Sequence, residues 1–147
     1  MGTLVDERKG SANQRTVLSH LRLDIDPVSV AIARRYLRLV LDTIPGFEDI
    51  DSALIIISEL VTNVIKYAPH PKTQTSIVVG HHDDRLRVEV HDPSNELPVP
   101  RTPGRMSESG HGLILVESLA ADWGFHTSAA GKTVWFELKA EPRRVTL

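Results

Sequence analysis

The sequence predicts an α+β fold: a two-layer sandwich with a mixed, mostly antiparallel sheet and helices on one of its faces. Three observations point there. The elements read in the order β α α β β, a long loop, then α β β. Neighbouring strands are joined by turns as tight as Asp83-Asp84 and Ala129-Ala130-Gly131, which favours antiparallel pairing. The segments between them carry apolar residues at helical spacing, so each helix has one face to bury against the sheet.

In chain order, His20-Leu21-Arg22-Leu23-Asp24-Ile25-Asp26 alternates as a half-buried strand does, and Pro27 stops it. Val28 to Leu41 reads as a helix, with apolar residues at Val30, Ala33, Leu37, Val40 and Leu41 and with Arg34, Arg35 and Arg38 on its other faces. Pro45-Gly46 breaks it. Asp49 or Asp51 serves as N-cap of a second helix that runs through Tyr67 and is ended by Pro69 and Pro71. Thr75 to His82 is rich in β-branched residues, and Leu86 to Asp92 alternates, so the two form a hairpin around Asp83-Asp84. Residues 93–109 carry four prolines and one glycine. A segment of that length inside a compact domain is functional or disordered. Gly110-His111-Gly112 opens a third helix through Leu113, Val116, Leu119 and Ala120, closed by Trp123-Gly124. Phe125 to Ser128 and Thr133 to Lys139 form a last hairpin. The expected organisation is a flexible tail at 1–19, one domain at 20–140 and a short tail at 141–147.

Composition narrows the function. The chain has 147 residues and a net charge of -2, from 17 basic and 19 acidic residues, so nothing electrostatic points to nucleic acid. Cysteine is absent, which removes disulfide and thiolate chemistry. No apolar run approaches the roughly 20 residues that span a bilayer, and the polar start MGTLVDERKGSANQRT has no signal-peptide core. The expectation is a cytoplasmic protein that binds neither membrane nor nucleic acid.

The chemistry concentrates in the second helix. Glu59 and Asn63, four residues apart, share a helical face with Lys66. A base, a neutral oxygen ligand and a cation on one face are the parts that magnesium-dependent phosphate chemistry uses. Asp92 ends a strand at the mouth of the long loop. Gly110-His111-Gly112 stands at a helix N-terminus, where backbone N–H groups and the helix dipole favour an anion. Gly131-Lys132-Thr133 looks like the end of a P-loop, but His126 stands where that motif needs its first glycine, and a strand follows instead of a helix. His81 and His82 are adjacent in a strand and point to opposite faces, so no zinc site is expected.

Taken together these positions resemble the GHKL ATPase superfamily, and within it the short single-domain anti-sigma-factor serine/threonine kinases. Glu59-Leu60-Val61-Thr62-Asn63 resembles the N-box. Val90-His91-Asp92-Pro93-Ser94 resembles the aspartate-glycine box, with Ser94 in place of its glycine. Ser109-Gly110-His111-Gly112-Leu113-Ile114-Leu115-Val116 resembles the second glycine box, and Gly131 to Leu138 the closing strand. The resemblance runs from about Leu21 to Leu138 and implies a Bergerat-type ATP-binding fold. It implies Glu59 as general base, Asn63 as ligand of a Mg²⁺ held through the nucleotide phosphates, and Asp92 as acceptor of the adenine amino group. Gly110, His111, Gly112 and Leu113 would lie along the phosphates. Thr133 would bond near the adenine, directly or through water, and Lys66 would bind phosphate. Residues 93–109 correspond to the ATP lid. Tyr67 resembles the histidine kinase N-box instead, yet no dimerisation helices with a phosphoaccepting histidine precede the domain, so histidine autokinase activity is not expected.

What the resemblance implies is an ATP- and Mg²⁺-dependent regulatory serine/threonine kinase. It would act as an anti-sigma factor, phosphorylate a small anti-sigma-factor antagonist, hold a sigma factor and form a homodimer. The alternative is a protein-binding module, with or without nucleotide, that sequesters a partner without catalysis. A plain ATPase is a third reading, against which stands the lack of any transducer domain of the gyrase or Hsp90 kind.

Overall fold

The computed structural model describes residues 2–4, 16–68, 73–94 and 108–140, the side chains of 2–4 and 108–113 apart. Its elements are β1 (Gly2–Leu4), β2 (Thr16–Asp24), α1 (Val28–Leu41), α2 (Ile50–Tyr67), β3 (Gln74–His82), β4 (Arg85–Asp92), α3 (Glu108–Leu119), β5 (Asp122–Ser128) and β6 (Gly131–Lys139). The strands form one sheet in the order β1-β5-β6-β4-β3-β2. Every pairing is antiparallel except β1 on β5. This is the expected α+β sandwich.

Local chemistry sets the helix ends. Asp26 turns the chain into α1: its Oδ1 accepts the Val28 N–H at 2.9 Å, and its carbonyl accepts the Ser29 N–H at 2.8 Å. Ser29, Ala33, Leu37 and Leu41, spaced four apart, form the buried stripe. Asp49 stands at the N-cap position of α2 without a side-chain cap bond, and Asp51 lies in the first turn, where its charge suits the helix dipole. The helix ends because Ala68 turns extended, at ψ 135°, as a residue before proline must. Pro69 and Pro71 themselves lie outside the described residues.

Strand alternation decides what faces the helices. On that side β3 places Ile77 and Val79, β4 places Leu86, Val88 and Val90, and β6 places Val134, Phe136 and Leu138. They pack with Ile56, Ile57, Leu60, Val61 and Val64 of α2 in a single core. The outer face is also tightly filled. Arg87, only 3% exposed, stacks 4.1 Å from the centre of the Trp135 ring. It bonds Glu89 at 2.9 Å and Glu137 at 3.2 Å, and Glu137 also meets His82 at 2.9 Å.

Several boundaries differ from expectation. Residues 1–19 are not simply a tail, because Gly2–Leu4 pairs with Trp123 to Phe125, and β2 already begins at Thr16 against His81. The third helix starts two residues before Gly110 and ends at Leu119. Trp123-Gly124 does not close it. Both residues lie in β5 opposite Phe136 and Trp135, where a buried indole does more than a helix stop could. The loop at 95–107 and the segment 141–147 lie outside the described residues.

Gly131 opens β6 at φ 128°, and a Cβ there would run into the Asp92 carbonyl oxygen and stand 2.8 Å from Pro93 Cα. Gly131→Ala is therefore expected to lose at least about 2 kcal/mol, read as a lower urea midpoint. An unchanged midpoint would show that the two backbones do not need to approach so closely.

Candidate functional site

The Glu59–Asn63–Lys66 stripe lies on one flank of α2. Arg34 of α1 donates to Ser58 Oγ at 2.7 Å and reaches the Leu54 carbonyl at 3.4 Å, which fixes α1 on the opposite flank. Helix α3 also packs on α2, so the Glu59–Asn63 flank is turned toward it. Glu59 and Asn63 are half-buried, and Lys66 is exposed in the last turn. Among the described residues the Glu59 and Asn63 side chains make no hydrogen bond. A carboxylate and a carboxamide held one turn apart and left unbonded are free to meet a ligand.

Asp92 follows Val90 in phase and so faces the helices, buried at the end of β4. Its Oδ1 accepts the Ser94 N–H at 2.8 Å. Its Oδ2 meets the Lys132 ammonium at 2.9 Å, both side chains less than a tenth exposed. Ser94 does not need to be glycine here, since Asp83 alone among the described non-glycine residues has positive φ. Its backbone orients the carboxylate.

Thr133 does not share a strand face with Asp92. It pairs with His91 and with His126, whereas Asp92 pairs with Lys132. Successive strand residues point to opposite faces, so Thr133 lies on the outer face and the structure does not bring it to Asp92. The neighbouring Lys132 occupies that place. It is the residue that sequence reasoning misses, because the P-loop reading of Gly131-Lys132-Thr133 fails and the closing-strand resemblance gives a role to Thr133 alone. A signal was there: Lys132 shares the phase of Val134, Phe136 and Leu138, and a lysine on a buried strand face needs a carboxylate.

Gly110 falls in the first turn of α3, whose N–H groups have no intrahelical acceptor. Gly112 lies two residues further into the same helix. The side chains of His111 and Leu113 lie outside the described residues. His82 bonds Glu137, and among the described residues no group of three or more histidines and carboxylates could hold a metal. Among the described residues no helix is long and apolar enough to cross a membrane.

Known proteins resemble this chain. The family model described as Histidine kinase-like ATPase domain matches residues 23–138. The Serine-protein kinase RsbW of two Staphylococcus aureus strains, bovine RF122 / ET3-1 and MRSA252, is 25% identical over 119 residues, covering 65% of this chain and 75% of each relative. The crystal structure of the RsbU and RsbW domains of Rv1364c from Mycobacterium tuberculosis superposes with a TM-score of 0.63 at 23% identity. It covers 87% of this chain, which spans 35% of that larger one, and at this identity it speaks for the fold alone.

The buried Asp92–Lys132 pair has a thermodynamic signature. Asp92→Leu strands a buried ammonium and is expected to cost about 3–5 kcal/mol in urea unfolding. Adding Lys132→Met should recover most of that loss. A double variant no more stable than Asp92→Leu would show that the two side chains are not coupled.

Proposed function

The chain belongs to the histidine kinase-like ATPase domain family, and on that premise we propose that it binds ATP with magnesium and transfers the γ-phosphoryl group to a serine or threonine of a small partner protein. The observation that carries this is Glu59 beside Asn63 on one flank of α2, neither side chain hydrogen-bonded among the described residues. A family member that only holds nucleotide has no use for a carboxylate one turn from the metal ligand. Glu59 can accept the proton of an incoming hydroxyl, which a carboxamide could not do. Asn63 offers a hard oxygen suited to magnesium, which takes few protein ligands and shares the nucleotide phosphates. Bound there, the ion would neutralise charge that develops on the phosphoryl oxygens. Asp92, oriented by Ser94, accepts the amino hydrogen of adenine. Gly110 and its neighbours offer backbone N–H groups to phosphate, and Lys66 sits within reach of the same flank. The similarity to staphylococcal serine-protein kinases supports the choice of acceptor. The resemblance of its motifs to the anti-sigma-factor kinases extends the proposal to a regulatory role as an anti-sigma factor, with an antagonist and a sigma factor as partners, a homodimeric state and a cytoplasmic setting.

A second reading, a module that sequesters a protein without catalysis, is favoured by α1. Val28, Ile32 and Leu39 are 59, 44 and 61% exposed along one side of that helix, an apolar stripe interrupted by the exposed Arg35.

The two readings separate in one experiment. Melting with ATP and Mg²⁺ at about 100 times the dissociation constant should stabilise the wild type by about 2.7 kcal/mol, roughly 5–10 °C. Asn63→Ala should lose the magnesium-dependent part. Glu59→Ala should keep the shift and lose phosphoryl transfer from labelled ATP to the antagonist. Transfer that persists in Glu59→Ala would remove the base from the mechanism. Nucleotide binding with no transfer by the wild type would leave the sequestering module.

A further inference from the structure

Lys132 presents more hydrogen-bonding capacity than the fold consumes. An ammonium carries three donors. One goes to Asp92 Oδ2 at 2.9 Å, and among the described residues the other two have no acceptor, although the side chain is only 7% exposed. Buried donors are matched in nearly all native structures because leaving them unmatched costs free energy. Stability alone does not account for the pair either, since a buried ion pair is commonly no better than two apolar residues of similar size. The position is nevertheless tightly built. Gly131 brings the start of β6 against the backbone of Asp92 and Pro93, and the register sets Lys132 directly opposite Asp92.

We propose that Lys132 is a nucleobase-recognition residue, its ammonium donating to an acceptor ring nitrogen beside the amino group that Asp92 accepts. The inference rests on the nucleotide-binding reading above and assigns the partner of that base. Asp92 Oδ2 and Lys132 Nζ stand side by side as an acceptor and a donor. Adenine offers the complement, an amino donor flanked by acceptor nitrogens, N7 on one side and N1 on the other. A base with a carbonyl in place of the amino group would set an acceptor against the Asp92 carboxylate.

Isothermal titration of the full chain with Mg²⁺ and four nucleotides tests this: ADP, IDP, 1-deaza-ADP and 7-deaza-ADP. The wild type should bind ADP tighter than IDP, and tighter than one of the two deaza analogues by about tenfold to a hundredfold, the worth of one hydrogen bond to a charged group. Lys132→Met should lose a similar factor for ADP and no longer tell ADP from that analogue, an effect a merely structural lysine would not produce. If Lys132→Met does not fold, the wild-type series still decides. Equal affinity for ADP and both deaza analogues overturns the proposal while leaving the nucleotide site standing. Tighter ADP binding by Lys132→Met also overturns it, because the ammonium would then be a competitor for Asp92. A wild type that binds no ADP, or binds ADP and IDP alike, removes the adenine reading of Asp92 and this inference with it.

Discussion

The constraint on which this structure depends is the two-residue alternation of its central strands. β4 and β6 are paired along eight positions, from Arg85 opposite Lys139 to Asp92 opposite Lys132. One phase delivers Leu86, Val88, Val90, Val134, Phe136 and Leu138 to the helices. The same phase, continued to the ends of both strands, delivers Asp92 and Lys132. The core and the candidate site are therefore one pattern, apolar where α2 covers it and charged where the strands run out. The other phase collects Arg87, Glu89, Trp135 and Glu137 on the outer face.

Helix α2 carries the second half of the arrangement in the same way. Ala53, Leu54, Ile56, Ile57, Leu60, Val61 and Val64 anchor it to the sheet. The flank that remains, turned away from α1, holds Glu59 and Asn63. Two acids thus have different surroundings. Asp92 is buried and tied to a cation and a backbone N–H. Glu59 is half-buried and, among the described residues, makes no hydrogen bond. That difference separates a residue suited to reading a base from one suited to taking a proton.

Much of this was legible in the sequence wherever the cause is local. The bounds of α1 follow from Asp26, Pro27 and the four-residue stripe, and they are met at Val28 and Leu41. The stop of α2 follows from Pro69. The hairpin of β3 and β4 follows from Asp83, which takes the positive φ that its turn requires. Elements whose cause is distant were not legible. Thr16 to Ser19 has no clear alternation, and only its pairing with β3 makes it a strand. Gly2–Leu4 is held in parallel by β5, more than a hundred residues away. Trp123-Gly124 has the composition of a helix stop and is a strand because of what lies opposite. At the site, Glu59, Asn63 and Asp92 stood out as motifs. That Lys132, and not Thr133, stands opposite Asp92 is a matter of register, and a one-residue difference in register reverses every side chain.

The outer-face charges have a consequence for how the chain reaches this state. Three strands that meet through Arg87, Glu89, Glu137 and His82 can be paired in only one way without harm. Slide β4 by a single residue and Arg87 and Glu89 would enter the hydrophobic layer under α2, while Val88 and Val90 would turn to water. The guanidinium would leave the Trp135 ring, and the Glu137 carboxylate on β6 would be left behind. Mispaired forms of the sheet are thereby penalised. The cluster is thus a proofreading device for the pairing on which the site depends.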